Sequence, residues 1–244
     1  MLDLKLLAAS KQLQLLPPDA LLHTGELDHA DWNYRPVLGA IQRLRFTLVK
    51  SLLPEERVQR LLELGYGSGV FLTELARHCA ELFGIDVHPC NQEIMRLLSR
   101  YGVRAQLHRA GAEALPFESQ SLDVVVAVST LEFVTDIESA CREVRRVLRP
   151  SGCFIVVTPG RSPLADAGLR LLTGKRARTD FGSRRDAILP ALQRNFRVQT
   201  ALSFPSFGGS PLRLYDALRL VPDPRTAGVV FPRDPGAAGP AQDT

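Results

Sequence analysis

Val58-Gln59-Arg60-Leu61-Leu62-Glu63-Leu64-Gly65-Tyr66-Gly67-Ser68-Gly69-Val70 decides how the rest of this chain is read. Val58 to Leu64 has the length and apolar weight of a short strand, and three alternate glycines follow it directly. From Val70 to Cys79 a helical face of Phe71, Leu75 and Cys79 recurs, with Leu72 and Ala76 beside it. A glycine turn between strand and helix lets the backbone approach a ligand more closely than any Cβ permits. It also leaves free N–H groups at a helix start, where a carboxylate or a phosphate is favoured.

Downstream the alternation continues. Leu82 to Val87 reads as a strand, and Pro89 suits the first turn of a helix running to about Tyr101. Ala105 to His108 is a weak strand. Leu122 to Val128 is nearly all apolar, as a parallel strand buried on both faces should be. Thr135 and Glu138 have capping-box spacing. They would open a helix striped by Ile137, Cys141, Val144 and Leu148, with Pro150 just beyond its end. Cys153 to Val157 is another buried strand, Arg184 to Asn195 a helix and Phe196 to Phe204 a strand. Tyr215 to Val221 fits a strand and also a helix. Upstream, residues 1–16 place Leu2, Leu6, Leu13 and Leu16 at helical spacing before Pro17-Pro18. Residues 37–53 line Val37, Ile41, Leu44, Leu48 and Leu52 along one face.

Strands alternating with helices predict an α/β fold, doubly wound, with a mostly parallel seven-stranded sheet and right-handed crossovers. The expected organisation is an N-terminal helical cap over 1–53 and a core over 54–160. A basic insertion with the last helix and strands completing the sheet follows over 161–221. Residues 222–244, rich in Pro, Gly and Ala, read as a disordered tail.

Composition excludes several classes. With 45% hydrophobic and 23% charged residues in 244, the chain buries an ordinary core. Its longest aliphatic run, Val124 to Val128, is far short of the roughly 20 residues a membrane helix needs. Lys5, Lys11 and Gln12 interrupt any signal-peptide core, so a cytoplasmic protein without a membrane partner is expected. Cys79, Cys90, Cys141 and Cys153 form no C-x-x-C pair and no two histidines have ligand spacing. Buried thiols are therefore expected, and no metal. The net charge of +4 is local: residues 161–200 hold nine basic side chains against three acids. A confined excess of this kind argues against a nucleic-acid partner.

The candidate chemistry centres on Gly67 and Asp86. Asp86 ends the second strand as Gly84-Ile85-Asp86, 19 residues after Gly67. That is the separation at which an acid accepts hydrogen bonds from a ribose diol. The dinucleotide pattern G-x-G-x-x-G would need a third glycine where Val70 stands, and no phosphate-loop pattern occurs.

These motifs resemble those of the class I S-adenosylmethionine (SAM)-dependent methyltransferases, specifically the type 11 branch. The resemblance spans about Arg60 to Pro159. It rests on Glu63-Leu64-Gly65-Tyr66-Gly67-Ser68-Gly69, Gly84-Ile85-Asp86, Glu113-Ala114-Leu115-Pro116-Phe117, Ser121-Leu122-Asp123-Val124-Val125, Leu131-Glu132-Phe133-Val134 and Leu148-Arg149-Pro150-Ser151-Gly152, in the family's order. The resemblance implies a Rossmann-like methyltransferase fold, SAM as cofactor and methylation of a small molecule. It implies that Gly65, Gly67 and Gly69 form the cofactor turn and that Glu63 helps hold the methionine end. Asp86 would take the ribose hydroxyls, Val87 would flank the adenine, and the Ser129 carbonyl would meet the methionine amino group.

Two positions depart from the pattern. Where the family often has an acid reaching the adenine amino group, this chain has Gly111, which leaves the backbone near Ala112, or Glu113. Where it often has a histidine facing substrate, this chain has Phe133. Candidates for a general base are then His23 and His29 in the cap, and Glu132. Trp32 and Tyr34 suit substrate stacking, pocket closure or plain packing. The basic segment 161–200 follows the fifth strand's carboxyl end, where an anionic or carrier-tethered acceptor would arrive. A monomer or a homodimer is expected. The alternative is a methyltransferase-fold protein that binds SAM for structure, regulation or another reaction.

Overall fold

The computed structural model describes residues 2–25, 28–160, 184–207, 209 and 212–224. Seven strands form one sheet: β1 Val58–Leu64, β2 Cys79–Asp86, β3 Gln106–Arg109, β4 Leu122–Val128, β5 Leu148–Pro159, β6 Phe196–Phe204 and β7 Tyr215–Pro222. Their order is β3-β2-β1-β4-β5-β7-β6. The first five run parallel, and β7 enters antiparallel between β5 and β6. The doubly wound, mostly parallel expectation is met. The order reverses between β1 and β4, which opens a crevice at their carboxyl ends.

The helices are α1 Leu2–Ser10, α2 Leu38–Leu52, α3 Leu72–Leu75, α4 Asn91–Arg100, α5 Ile137–Val147 and α6 Arg184–Asn195. They cover both sheet faces, because the central strands alternate which side each residue serves. Leu61, Val124, Val126 and Val128 enter one apolar cluster with Leu44, Leu48 and Phe71. Leu62, Leu64, Val125 and Ala127 enter the other with Val144, Val147, Ala191 and Leu192. On the first face Phe46 of α2 stacks on Phe71, ring centroids 4.3 Å apart, and so ties the cap to the glycine turn.

Several boundaries differ from expectation. α1 ends at Ser10, where Lys11 and Gln12 amides tighten onto Ala8 and Ala9 carbonyls. The chain then runs extended: the Gln14 amide donates to Glu74, Thr73 donates to the Gln14 carbonyl, and the Leu16 amide donates to the Val70 carbonyl. Leu16 is buried beside the glycine turn, so its helical spacing with Leu2 is coincidental. α3 is a single turn with a short 3-10 extension, because Cys79 already opens β2. α4 begins at Asn91, two residues after Pro89.

The cap of α5 is Asp136 rather than Thr135: Asp136 Oδ1 accepts the Ser139 amide at 3.0 Å. β7 is a strand, since both its neighbours pair with it along its length. The arginines of 161–183 and the tail beyond 224 lie outside the described residues. Among the described residues no helix is long and apolar enough to cross a membrane. All four cysteines are free, and Cys79, Cys141 and Cys153 are buried.

Candidate functional site

The site grows from the end of β1. Gly65, Gly67 and Gly69 all have positive φ, at 71°, 51° and 76°. An L side chain resists this conformation. At Gly65 a Cβ would also run into Thr130, which packs over it from the end of β4. Above Gly67 there is room: among the described residues a Cβ would meet only the Asp28 carboxyl group, with Oδ1 at 3.8 Å. The turn is therefore sealed at its first glycine and open at its second.

Asp86 faces this turn. Its Oδ2 accepts the Gly67 amide at 2.9 Å, and its Oδ1 accepts the Val87 amide at 2.7 Å. Three backbone bonds at most use this carboxylate, which offers about four lone pairs, so capacity remains for a diol. Val87 is exposed, a free apolar face beside the acid.

Glu63 lies beneath. It is only 3% exposed, and its Oε2 is buried with no hydrogen-bond partner among the described residues. Burial pushes its carboxyl up to about 8; Arg45 pulls the other way and Asp86 adds to the rise. A buried carboxylate with a vacant acceptor is the donor set an ammonium group would complete. Ser129 follows β4 with φ 52°, a strained value for a serine, and its amide is anchored on the Val157 carbonyl at 2.8 Å.

At the other end of the crevice, the Glu113 side chain folds over Gly111. Its Oε2 lies 2.7 Å from where a Cβ at position 111 would stand. A carboxylate thus occupies the ground of the missing acid, two residues displaced. Glu113 Oε1 also accepts the Asp136 amide at 3.4 Å, and Ala112 sits half-buried between them.

The catalytic candidates separate. Glu132 is 1% exposed in the 3-10 turn after β4. It lies within electrostatic reach of Arg45. His23 is exposed. His29 stacks on Trp32 at 4.3 Å, and Arg35 covers the same indole, so both aromatic groups are engaged within the cap. Tyr34 donates its hydroxyl to the Leu16 carbonyl, a packing role. Of the basic segment, Arg194 pairs with Glu138 and is taken up structurally.

Arg45 is the residue that sequence reasoning missed. It projects from α2 among Glu63, Glu132, Asp28 and Tyr215, with its Nε buried and without a hydrogen-bond partner among the described residues, and burial draws its pKa down. The signal was present: Arg45 interrupts the apolar stripe of Ile41, Leu44, Leu48 and Leu52, where a guanidinium has no reason to stand without a charge to meet.

Comparison with known proteins agrees with this geometry. Residues 62–156 match the model of the type 11 methyltransferase domain. The chain is 34% identical over 119 residues to a ubiquinone biosynthesis O-methyltransferase of Sinorhizobium medicae, covering 48% of each chain. It is 29% identical over 120 residues to a sterol 4-C-methyltransferase of Caenorhabditis elegans, covering 48% of this chain and 36% of that one. It thus spans about half, or less, of the length of these relatives. A SAM-dependent methyltransferase from Aquifex aeolicus superposes with a TM-score of 0.58 at 11% identity, over 89% of this chain and 98% of that one, which shows the shared fold.

Proposed function

We propose that this chain, whose residues 62–156 match the type 11 methyltransferase domain, transfers a methyl group from SAM to a small-molecule acceptor. The observation that carries this reading is the cradle. The open Gly67 is held by Asp86, beside a buried Glu63 whose Oε2 lacks a partner among the described residues.

SAM would supply an activated methyl on a sulfonium that leaves as a neutral thioether, so no acid is needed. The chain's residues divide the remaining tasks. Glu63 meets the ammonium group and the Ser129 carbonyl supports it, while Arg45 meets the carboxylate. Asp86 takes the ribose diol. Val87 flanks the adenine, and the Ala112 backbone and Glu113 face its amino group. Gly65 and Gly69 shape the turn, and Gly67 keeps it open. The largest catalytic contribution is alignment of acceptor and methyl, up to about 7–11 kcal/mol in ideal cases. An acceptor hydroxyl would lose its proton to Glu132, whereas an acceptor carboxylate needs no base.

Support for the acceptor class is coarser. Two of the relatives are by name a sterol 4-C-methyltransferase and a ubiquinone biosynthesis O-methyltransferase, which supports a small-molecule acceptor. The basic segment 161–200 leaves the carboxyl end of β5 and favours an anionic or carrier-tethered acceptor. Four free cysteines fit a cytoplasmic setting, and the enzyme would work as a monomer or a homodimer. The test is a panel of phenolic, carboxylate and prenyl-derived acceptors incubated with SAM and read for a methyl-sized mass gain. A gain lost in Asp86→Ala supports the proposal. SAM binding without a gain on any acceptor class favours the non-methylating alternative.

A further inference from the structure

The segment Asp86-Val87-His88-Pro89-Cys90 joins β2 to α4, and a histidine there reads naturally as a helix-start residue. The structure turns it inward. The His88 side chain is only 8% exposed. Its Nε2 lies 2.9 Å from the Gly67 carbonyl oxygen, and the Cys90 amide donates to its Nδ1 at 3.1 Å. An amide N–H can only donate, so Nδ1 is the bare nitrogen and Nε2 carries the proton. That tautomer donates to Gly67. The middle glycine of the turn is therefore held on both sides, its N–H by Asp86 Oδ2 and its C=O by His88 Nε2. Tyr66 closes the third side, its ring edge-on to His88 with centroids 5.0 Å apart.

We propose that His88 is a positioning residue for the cofactor: in its neutral Nε2–H form it fixes the Gly67 peptide, and a second proton releases it. The proposal rests on the SAM-binding reading given above. The charged and titratable groups facing His88 are Asp86, whose Oδ2 is 3.8 Å from Nε2, Tyr66 from the turn and Cys90 from the start of α4. Arg109 stands nearby on β3, where its Nε donates to the Val87 carbonyl at 3.0 Å. A proton added at Nδ1 would confront the Cys90 N–H, donor against donor. The imidazolium would then turn toward Asp86 and draw that carboxylate away from Gly67 and from a bound diol. A second proton on His88 thus weakens cofactor binding.

The experiment is calorimetric titration of the full chain with the demethylated product of SAM at pH 5.5, 6.5, 7.5 and 8.5. It compares wild type, His88→Gln and His88→Phe. Glutamine keeps an N–H donor within reach of Gly67 and takes no second proton. Any proton linked to Glu63 is common to all three proteins, so the differences between curves isolate residue 88. At pH 7.5, His88→Phe is expected to bind about tenfold more weakly and His88→Gln to recover most of that loss. Between pH 7.5 and 5.5 the wild type should lose more affinity than His88→Gln, because only the imidazole can take the extra proton. Parallel slopes for wild type and His88→Gln, or wild-type affinity in His88→Phe, would overturn the proposal. Nitrogen NMR of the free wild-type protein reads the tautomer directly: an Nε2–H ring supports it and an Nδ1–H ring refutes it, even if the variants fail to fold. A wild type that shows the expected tautomer yet binds nothing at any pH would refute the cofactor reading instead.

Discussion

Asp86 Oδ2 accepts the amide hydrogen of Gly67 at 2.9 Å, and the two residues stand 19 positions apart in the chain. The bond spans the carboxyl ends of β1 and β2, which run side by side with Glu63 opposite Gly84 and Leu64 opposite Ile85. Gly84 has no side chain, which leaves space for the Tyr66 ring: a Cβ there would lie 2.7 Å from Tyr66 Cδ1. Turn and acid therefore come as one preassembled unit, and the predictions below follow from what surrounds it.

Glu63 gives a pH signature. Its carboxyl, pushed up to about 8 chiefly by burial, stays protonated in the folded free chain at neutral pH, against 4.5 for an ordinary glutamate. The stability tied to the protonated form is full below that ordinary value and is lost as pH rises through about 8. Urea melts at pH 5.5, 7.0 and 8.5 should show stability falling across this window, and Glu63→Gln should flatten the trend. An arriving ammonium group favours the ionised carboxylate. Cofactor binding at pH 7 should then release a proton, visible as heat that depends on the buffer's ionisation enthalpy and absent in Glu63→Gln.

Glu74 behaves in the opposite way. Burial alone would raise its pKa, but hydrogen bonds from His78, Lys50 and the Gln14 amide outweigh it and bring the carboxyl down to about 2. Lys50 Nζ lies 2.7 Å from Oε1, and the Gln14 amide 2.7 Å from Oε2. This carboxylate fastens the extended N-terminal segment and α2 to α3. Its contribution is present above the ordinary glutamate value and is lost as pH falls toward about 2. Glu74→Gln should cost about 1–3 kcal/mol at pH 7, as lost charge-assisted hydrogen bonds do. The difference from wild type should shrink in melts taken below pH 4.

Glu113 and Gly111 form a paired test. Glu113→Ala should weaken cofactor binding roughly tenfold, the worth of about one charged hydrogen bond. Adding Gly111→Asp to that variant should restore affinity, because removing Glu113 vacates the ground a side chain at 111 would occupy. In the wild-type background the same Gly111→Asp change brings two carboxylates together and should bind no better than wild type. Calorimetric titration of the four proteins decides the matter.

Glu132, on the turn that follows β4, is the base proposed above. For a hydroxyl acceptor, Glu132→Gln should lower kcat by about 100-fold or more, the usual worth of general base catalysis. Its affinity for the demethylated cofactor product should hardly change. Steady-state rates against pH, set beside product titrations, separate the two.

How much of this was written in the sequence depends on whether the deciding interaction is local. β1 and β4 were legible because continuous apolar runs can satisfy only a doubly covered strand. Asp86 was legible because strand pairing converts a fixed residue separation into a fixed distance. The start of α5 misled, since Thr135–Glu138 and Asp136–Ser139 both have capping spacing and only the backbone at Asp136 selects between them. The end of α1 misled for another reason: Gln14 and Leu16, beyond its last turn, bond with Glu74 and Val70, 60 and 54 residues away. His88 and Arg45 were opaque in the same sense. Which way a side chain on a loop or a helix face points is set by elements brought beside it only when the sheet forms.

The central claim is that the cradle at Gly67 and Asp86 holds SAM. It is tested most directly by calorimetric titration of wild type and Asp86→Ala with SAM and with its demethylated product, alongside thermal melts of both proteins. Saturable binding is predicted for the wild type, with affinity reduced roughly 10- to 100-fold in a folded Asp86→Ala. No heat and no thermal stabilisation in the wild type, or equal binding by a folded Asp86→Ala, would contradict it.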